Sequence, residues 1–477
     1  KKLYYVLMYY FPSLLYPILL PILGSLFIAY NKKLSIRPSV VAVIIAALVF
    51  VSNIYFISFT NHGISPEIFL PMSLGFNFFM QADLMSVFMA LTSSFLSLII
   101  LIYCLGYIKK DEYETEFYSM AILFLGAMMG LVYSMNLMWL FIFWEITAIA
   151  SWRLVGYFRA DADTLKANKT FLITMGGALF LLLGIIIILL NFQTLDLNKL
   201  QGQAIPTLAV VFIIIGAFSK SAIFPFSTWL PDAGVAPSPV TAMLHAAVLV
   251  KIGVFAFAKI FHYIPLDVDM STLVLYMTGI SSLIAGGAAL IETNIKRIIA
   301  YSTISQIGFI FLGFATYTQI GFVGGMLFIL MHGISKAGLF LAAGTIEHTA
   351  HTKDISKMGN LFKAIPITGV AFGLCALSVM GIPPFGGFFS KMMVIKSAAG
   401  FGNPVIFTIF LLGALLTILY LTRLFYLVFF GSPTKSYKET EKGTSNWMVY
   451  SVLTLGVLSL ISGLLVKFPL KFLINVF

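Results

Sequence analysis

Apolar runs of about twenty residues alternate with short polar connections along almost the whole chain. Fourteen runs can be marked, at 4–30, 38–59, 83–108, 117–134, 137–158, 168–191, 206–226, 238–261, 271–291, 298–316, 320–346, 364–399, 403–430 and 446–466. Each approaches the ~20 residues that a helix needs to cross the hydrocarbon core of a bilayer. The pattern predicts an all-α polytopic membrane protein of about fourteen transmembrane helices, with almost nothing outside the lipid.

Two runs do not read as plain helices. Residues 364–399 would make a helix about 54 Å long at 1.5 Å per residue, against a ~30 Å core. Inside that run lies Gly381-Ile382-Pro383-Pro384-Phe385-Gly386-Gly387, which cannot continue a helix. The seventh run is interrupted by Pro225 and Pro231, just after Lys220. Irregular backbone at membrane depth survives only where it is buried in protein or lines a watery cavity. Broken segments at corresponding places in two halves of a chain point to a transport path. If runs four to eight form one repeat and nine to thirteen another, both breaks fall in the fourth helix of a repeat. The expected organisation is three N-terminal helices (1–116), a first five-helix repeat (117–261), a second, inverted one (262–430), and a loop with the last helix (431–477).

Composition removes the competing classes. AVILMFWYC residues make up 60% of the 477 and charged residues only 10%, with a mean hydropathy of +1.01. A soluble protein carries ~25% charged residues and must cover itself with polar groups. That excludes a soluble enzyme. The net charge of +11 does not argue for nucleic acid, because the basic residues are scattered through short loops rather than clustered on a face. Instead they orient the chain. The odd-numbered connections hold sixteen of them: Lys32, Lys33, Arg37, Lys109, Lys110, Arg159, Lys166, Lys169, Lys296, Arg297, Lys353, Lys357, Lys363, Lys435, Lys438 and Lys442. The even connections hold Lys199 and Lys259 alone. The positive-inside rule then places the odd connections in the cytoplasm and both termini outside a multi-pass cell membrane protein. The two lysines at each terminus, Lys1 with Lys2 and Lys467 with Lys471, argue weakly the other way, and the loop total wins. The first run, 4–30, is too long for a secretory h-region and reads as a membrane helix. Cys104 and Cys375 lie inside apolar runs and read as small buried hydrophobes, not as a disulfide or metal site.

The functional signal lies in ionisable residues well inside apolar runs: Glu145, Lys220, Lys251, Lys336 and Lys391, accompanied by His245 and His332. A charge at midspan costs roughly 2.5–3.5 kcal/mol on insertion scales. Five approach ~15 kcal/mol, comparable to the whole stability of an ordinary fold. Bland readings stand beside the functional one. Lys259, Lys396 and Arg423 lie close enough to run ends to snorkel, and Glu145 with Lys220 could form a purely structural ion pair. His332 and Lys336 are four apart and share a helix face; His348 and His351 fall in a loop and read as solvated. Lysine shifts its proton affinity readily when desolvated or placed beside a carboxylate, so a row of lysines with one glutamate can load and unload protons. Ser302, Thr303, Ser305 and Gln306 could hold connecting waters near that row. No nucleophile–base pair, metal-ligand cluster or phosphate loop is visible, and no cofactor is expected. Gly286-Gly287 and Gly324-Gly325 read as close helix contacts.

Four blocks carry a family resemblance: TWLPDAGVAPSPVTAMLHAAVLVKIGV (228–254), NIKRIIAYSTISQIGF (294–309), HGISKAGLFLAAGTI (332–346) and GIPPFGGFFSK (381–391). They resemble the antiporter-like membrane subunits shared by respiratory complex I, Mrp-type sodium/proton antiporters and membrane-bound hydrogenases. The resemblance implies fourteen helices, inverted repeats with broken seventh and twelfth helices, and a hydrated charged axis halfway across the membrane. By motif, Glu145 looks like the family's fifth-helix glutamate, Lys220 like its seventh-helix partner and Lys251 like the eighth-helix lysine. Lys336 looks like the central eleventh-helix residue and Lys391 like the basic group at the twelfth-helix break, while His245 and His332 sit where relay histidines occur. Lys391 together with APSPV looks closest to D-like Mrp subunits, and the end of the sequence just after run fourteen speaks against the distal complex I subunit with its lateral helix. Arg153 departs from the family pattern and is expected to compete with Lys220 for Glu145. The expected function is proton translocation, alone or coupled to sodium, within a multisubunit assembly. Its partners would be other membrane subunits, with peripheral iron–sulfur or nickel redox subunits in a hydrogenase-type complex. A stand-alone transporter for a small solute or cation and a scaffold that has lost transport are the rival readings.

Overall fold

Long apolar runs with few internal breakers leave the backbone no way to satisfy its polar groups in lipid except as helices. The computed structural model shows them as such. It describes residues 2–30, 36–60, 63–108, 113–432 and 444–474, with no side chains described before Leu14. Of the basic residues that orient the chain, Lys1, Lys32, Lys33, Lys109, Lys110, Lys435, Lys438 and Lys442 lie outside the described residues, and Lys2 has no described side chain.

The helices are α1 (Lys2–Tyr30), α2 (Pro38–Thr60), α3 (Leu84–Tyr107), α4 (Glu114–Tyr133), α5 (Leu137–Val155), α6 (Asp161–Phe192) and α7 (Thr207–Lys220). After an irregular stretch come α8 (Ser238–Ala242), a π-helical turn at Met243–Ala247 and α9 (Leu249–Tyr263). Then follow α10 (Val268–Ile291), α11 (Ile295–Ala315), α12 (Gln319–Ala350), α13 (Pro366–Met380), α14 (Gly386–Gly400), α15 (Pro404–Phe429) and α16 (Asn446–Leu464). Among the described residues, eleven spans are long and apolar enough to cross a membrane, and Leu14–Tyr30, Thr207–Lys220 and Pro366–Met380 are shorter apolar helices. One element lies outside the helical expectation. Glu67–Leu70 and Phe78–Gln81 form an antiparallel hairpin in the connection after α2, with Ile68 opposite Met80. Phe69 packs edge-on against Phe79 at 5.4 Å, and Phe78 against Trp139 at 4.9 Å.

Both expected breaks are present. α7 stops at Lys220, and residues up to Val235 make only single turns. The run at 364–399 is two helices. α13 ends on Gly381 in the left-handed region (φ 82°), and α14 starts at Gly386. Gly387 permits the return, because a methyl group there would overlap the Ser378 carbonyl.

Contacts divide the chain into two units. The first comprises 1–98, 110–221 and 248–267; the second comprises 99–109, 222–247 and 268–477. Each contains the same small tie. In the first, Asn136 caps α5 by accepting from the Met138 amide, and Leu137 and Leu197 exchange backbone hydrogen bonds with Leu195 and Met135. In the second, Asn294 caps α11 by accepting from the Lys296 and Arg297 amides, and Ile295 and Ile355 bond Lys353 and Thr293 in the same way. The bridge pairs are Asn136 with Asp196 and Asn294 with Asp354, and the two members of each tie are separated by the same interval along the chain.

The ties differ in burial. Asp196 is 1% exposed and accepts from Asn136 Nδ2 and Asn77 Nδ2, both at 2.7 Å. Asp354 is largely solvated. Asp196→Ala strands two buried amide donors at about 1–3 kcal/mol each, so it should lower the thermal midpoint of the solubilised protein far more than Asp354→Ala does. Equal midpoints for the two variants would contradict this account of the tie.

Candidate functional site

In the first unit, α5 carries Glu145 and α7 ends on Lys220. Lys220 is fully buried. Its ammonium donates to the Trp144 carbonyl at 3.3 Å and lies 5.3 Å from the Trp144 ring centre. The Glu145 and Lys220 charges interact, while Glu145, half-buried, has an Oε1 with no hydrogen-bond partner among the described residues. The lysine is thus held by the residue preceding the glutamate and leaves the carboxylate unlocked. Ser221, directly after the break, donates to the Val250 carbonyl at 3.1 Å and so fastens α9 beside the end of α7. Gly253 lets α9 approach Ser221 and the Ala217 carbonyl. Lys251 is fully buried on α9, and its ammonium has no hydrogen-bond partner among the described residues.

The second unit assembles the remaining candidates. Lys336, fully buried on α12, donates to Ser302 Oγ at 2.5 Å and to the Ile299 carbonyl at 3.3 Å. Tyr420 donates to the same Ser302 oxygen at 2.8 Å. One turn further on α11, Gln306 donates to Thr417 at 3.1 Å, and the Ser282 and Ser305 hydroxyls meet at 3.0 Å. Of the polar residues expected near the row, Ser302 meets Lys336 directly, whereas Thr303, Ser305 and Gln306 bond the Ile299 carbonyl, Ser282 and Thr417. His332, 2% exposed, precedes Lys336 by one turn and packs near Phe328, with ring centres 6.5 Å apart. His245 lies in the π-helical turn, its ring 4.4 Å from that of Phe340 and its nitrogens without hydrogen-bond partners among the described residues. π turns inside helices recur at functional sites, and this one carried no signal in the sequence pattern.

Lys391 shows what the break in the second unit does. Its ammonium donates to the Val379 carbonyl at 2.8 Å and to that of Met380 at 3.5 Å. Those are last-turn carbonyls of α13, which have no intrahelical donor and stand at the negative end of the helix dipole. The break thereby creates a cation cradle at membrane depth.

Four expectations need correction. Arg153 does not compete for Glu145. Its guanidinium bonds Glu116, which Arg159 also bonds, because position 153 falls in the last turn of α5, beside the acidic first turn of α4. Lys259 does not snorkel. It is fully buried and donates to Ser86 Oγ at 2.9 Å and the Val132 carbonyl at 2.7 Å. Lys296, counted as a loop charge, sits in the first turn of α11, 2% exposed and 2.8 Å from Glu347. Lys396 is exposed as a snorkelling lysine should be, and Arg423 is half-buried against the Glu292 carbonyl at 2.9 Å. His348 ends α12 rather than lying in a loop, and His348 and His351 are both exposed.

Residues 134–417 match a family model described as NADH:quinone oxidoreductase/Mrp antiporter, transmembrane. A Na(+)/H(+) antiporter subunit A1 of Staphylococcus haemolyticus (strain JCSC1435) is 32% identical over 487 residues, covering 94% of this chain and 60% of that protein. The Staphylococcus aureus subunit A1 is 29% identical, with the same coverage. The chain therefore spans about three-fifths of the length of these curated relatives. Two solved assemblies share the fold. A chain of the Mrp complex from Dietzia sp. DQ12-45-1b superposes with a TM-score of 0.88 at 22% identity, covering 97% of this chain and 96% of that one. A chain of the archaeal membrane-bound sulfane sulfur reductase, a respiratory membrane complex, superposes with a TM-score of 0.89 at 24% identity and the same coverage.

Lys251 offers a direct check on the geometry. A buried ammonium without a partner costs stability, roughly 2.5–3.5 kcal/mol at a helix centre. Lys251→Met should therefore raise the thermal midpoint of the solubilised protein, and a lowered midpoint would show that the ammonium has a stabilising partner.

Proposed function

The chain belongs to the NADH:quinone oxidoreductase/Mrp antiporter transmembrane family, and we propose that it is a proton-translocating subunit, alone or with sodium coupling, of a multisubunit membrane complex. The observation that carries this reading is the set of buried ionisable side chains. Lys220, Lys251, Lys336, Lys391, His245 and His332 are all at most 5% exposed, and Glu145 is half-buried beside Lys220. Structural lysines in apolar surroundings are expected to be fully hydrogen-bonded, whereas Lys251 is not. Groups held in this way change protonation when a neighbouring charge moves. In the proposed cycle Glu145 alternately attracts and releases Lys220. Lys251 takes up the resulting change in field, and Lys336, with His332, Ser302 and Tyr420 around it, passes a proton toward Lys391.

The five-helix repeats at 117–261 and 262–430 belong to the same proposal. The matching ties, Asn136 to Asp196 and Asn294 to Asp354, support them. One tie follows an even connection and the other an odd one, as an inverted pair requires. The chain would sit in the cytoplasmic membrane with both termini outside. Other membrane subunits would be its partners, with iron–sulfur and nickel redox subunits in a respiratory assembly or small membrane proteins alone in an Mrp-type antiporter; identifying what co-purifies separates the two.

Glu145→Gln and Lys251→Met, introduced into the assembled complex, should each lower ion translocation at least tenfold in sealed vesicles while the complex assembles in normal amount. Undiminished translocation by both variants would refute the reading. Uptake of a solute by the purified chain alone would favour the rival, a self-sufficient transporter.

A further inference from the structure

Lys259 is buried as deeply as any lysine of the proposed axis, yet the cycle above gives it no part. It lies on α9, eight residues beyond Lys251 and so about 12 Å further along the helix at 1.5 Å per residue. Its ammonium reaches Ser86 Oγ and the Val132 carbonyl, and the Asp83 carboxylate stands 4.0 Å away. Asp83 is 22% exposed and fixed in place, because its Oδ1 accepts the Ser86 amide at 2.6 Å at the start of α3. Three other titratable groups interact with the Asp83 charge: His262 and Tyr263 at the end of α9, and Tyr133, whose hydroxyl donates to Asn53 at 2.8 Å. The start of α3 and the end of α9 border the second and eighth connections, both even. On the expected topology the cluster lies on the side of the even connections.

We propose that Asp83 and Lys259 form the aqueous port of the first unit, through which a proton passes between Lys251 and the side of the membrane that carries the even connections. The proposal rests on the proton-translocating reading of the chain. In the outward direction a proton leaves Lys259 Nζ for the Asp83 carboxylate, giving a neutral amine and a neutral acid. Asp83 releases that proton to water and becomes a carboxylate again, while the amine is reprotonated from Lys251 through intervening water. No electrons move and no other reactant is consumed. The arrangement suits this task. Ser86 and the Val132 carbonyl hold the ammonium in place, while the carboxylate, just beyond direct contact, stays open to solvent. An intramembrane charge with an identifiable partner is a functional candidate by default.

The competing explanation is that Lys259 merely caps the C-terminal end of α4 by bonding Val132. Lys259→Gln separates the two, because glutamine keeps hydrogen-bond donors but cannot carry a proton. In sealed vesicles bearing the whole complex, Lys259→Gln and Asp83→Asn should each reduce proton translocation about tenfold with assembly unchanged, and Lys259→Arg should retain the charge and assemble normally. Asp83→Cys, in a chain whose own Cys104 and Cys375 are buried, should be labelled by a membrane-impermeant thiol reagent added on the even-connection side and not on the other, read as covalent modification of the protein. Full translocation by Lys259→Gln and Asp83→Asn alongside a dead Lys251→Met overturns the port and leaves the function standing. Full translocation by all three overturns the function itself. Should Lys259→Gln fail to assemble, the Asp83→Cys labelling decides, and labelling from the wrong side or from neither side refutes the port.

Discussion

A cation kept away from water is the constraint on which this structure depends. An ammonium inside a low-dielectric interior loses its hydration and must be met by fixed dipoles or change its protonation. The chain meets each buried lysine differently. Lys391 takes the last carbonyls of α13, Lys220 takes the Trp144 carbonyl and ring, and Lys336 takes a serine hydroxyl that also receives a tyrosine proton. Lys251 takes nothing among the described residues. The gradation from well-held to unheld distinguishes this set from ordinary structural ion pairs, in which both charges are satisfied in one arrangement. The helix breaks follow from the same requirement. A continuous helix offers no spare carbonyl at midspan, whereas a helix that stops at Met380 offers several, and Gly381 and Gly387 make the stop and the return sterically feasible.

The elements legible in the sequence were those with local signals. Apolar length located most helix ends to within a few residues, though α6 starts at Asp161, seven residues ahead of its run, and proline with glycine marked both breaks, because these effects act within one turn of the chain. Lys220, Lys251, Lys336 and Lys391 were equally visible, since a charge inside a twenty-residue apolar run is conspicuous whatever surrounds it. Partners were not legible. Counting residues to the end of a run suggested that Lys259 snorkels, but α3 and α4 cover that end, and Ser86 and Val132 are remote in sequence. Arg153 could not be assigned for the same reason: Glu116 lies on another helix, and nothing in the spacing favoured it over Glu145. The hairpin at 67–81 was lost because its four-residue strands are too short to register beside runs of twenty.

Family and fold place the chain more firmly than its subunit type. Lys391 and the APSPV stretch resemble D-like subunits, whereas the two curated relatives bear the name subunit A1 and extend well beyond the length matched here. The buried ionisable side chains are indifferent to that distinction. They reside in α5, α7 and α9 of one unit and in the π-helical turn and α11 to α14 of the other, and the hydrogen bonds of Lys220, Lys336 and Lys391 each lie within one unit.

Lys336 is the most direct test of the central claim, because it is buried, central to the second unit and held by neutral groups alone. The decisive measurement is the proton translocation of sealed vesicles containing the complete complex with Lys336→Ala, set beside the exposed control Lys396→Ala at equal assembly. The account predicts that translocation is lost in the first and kept in the second. Normal translocation with Lys336→Ala would contradict it.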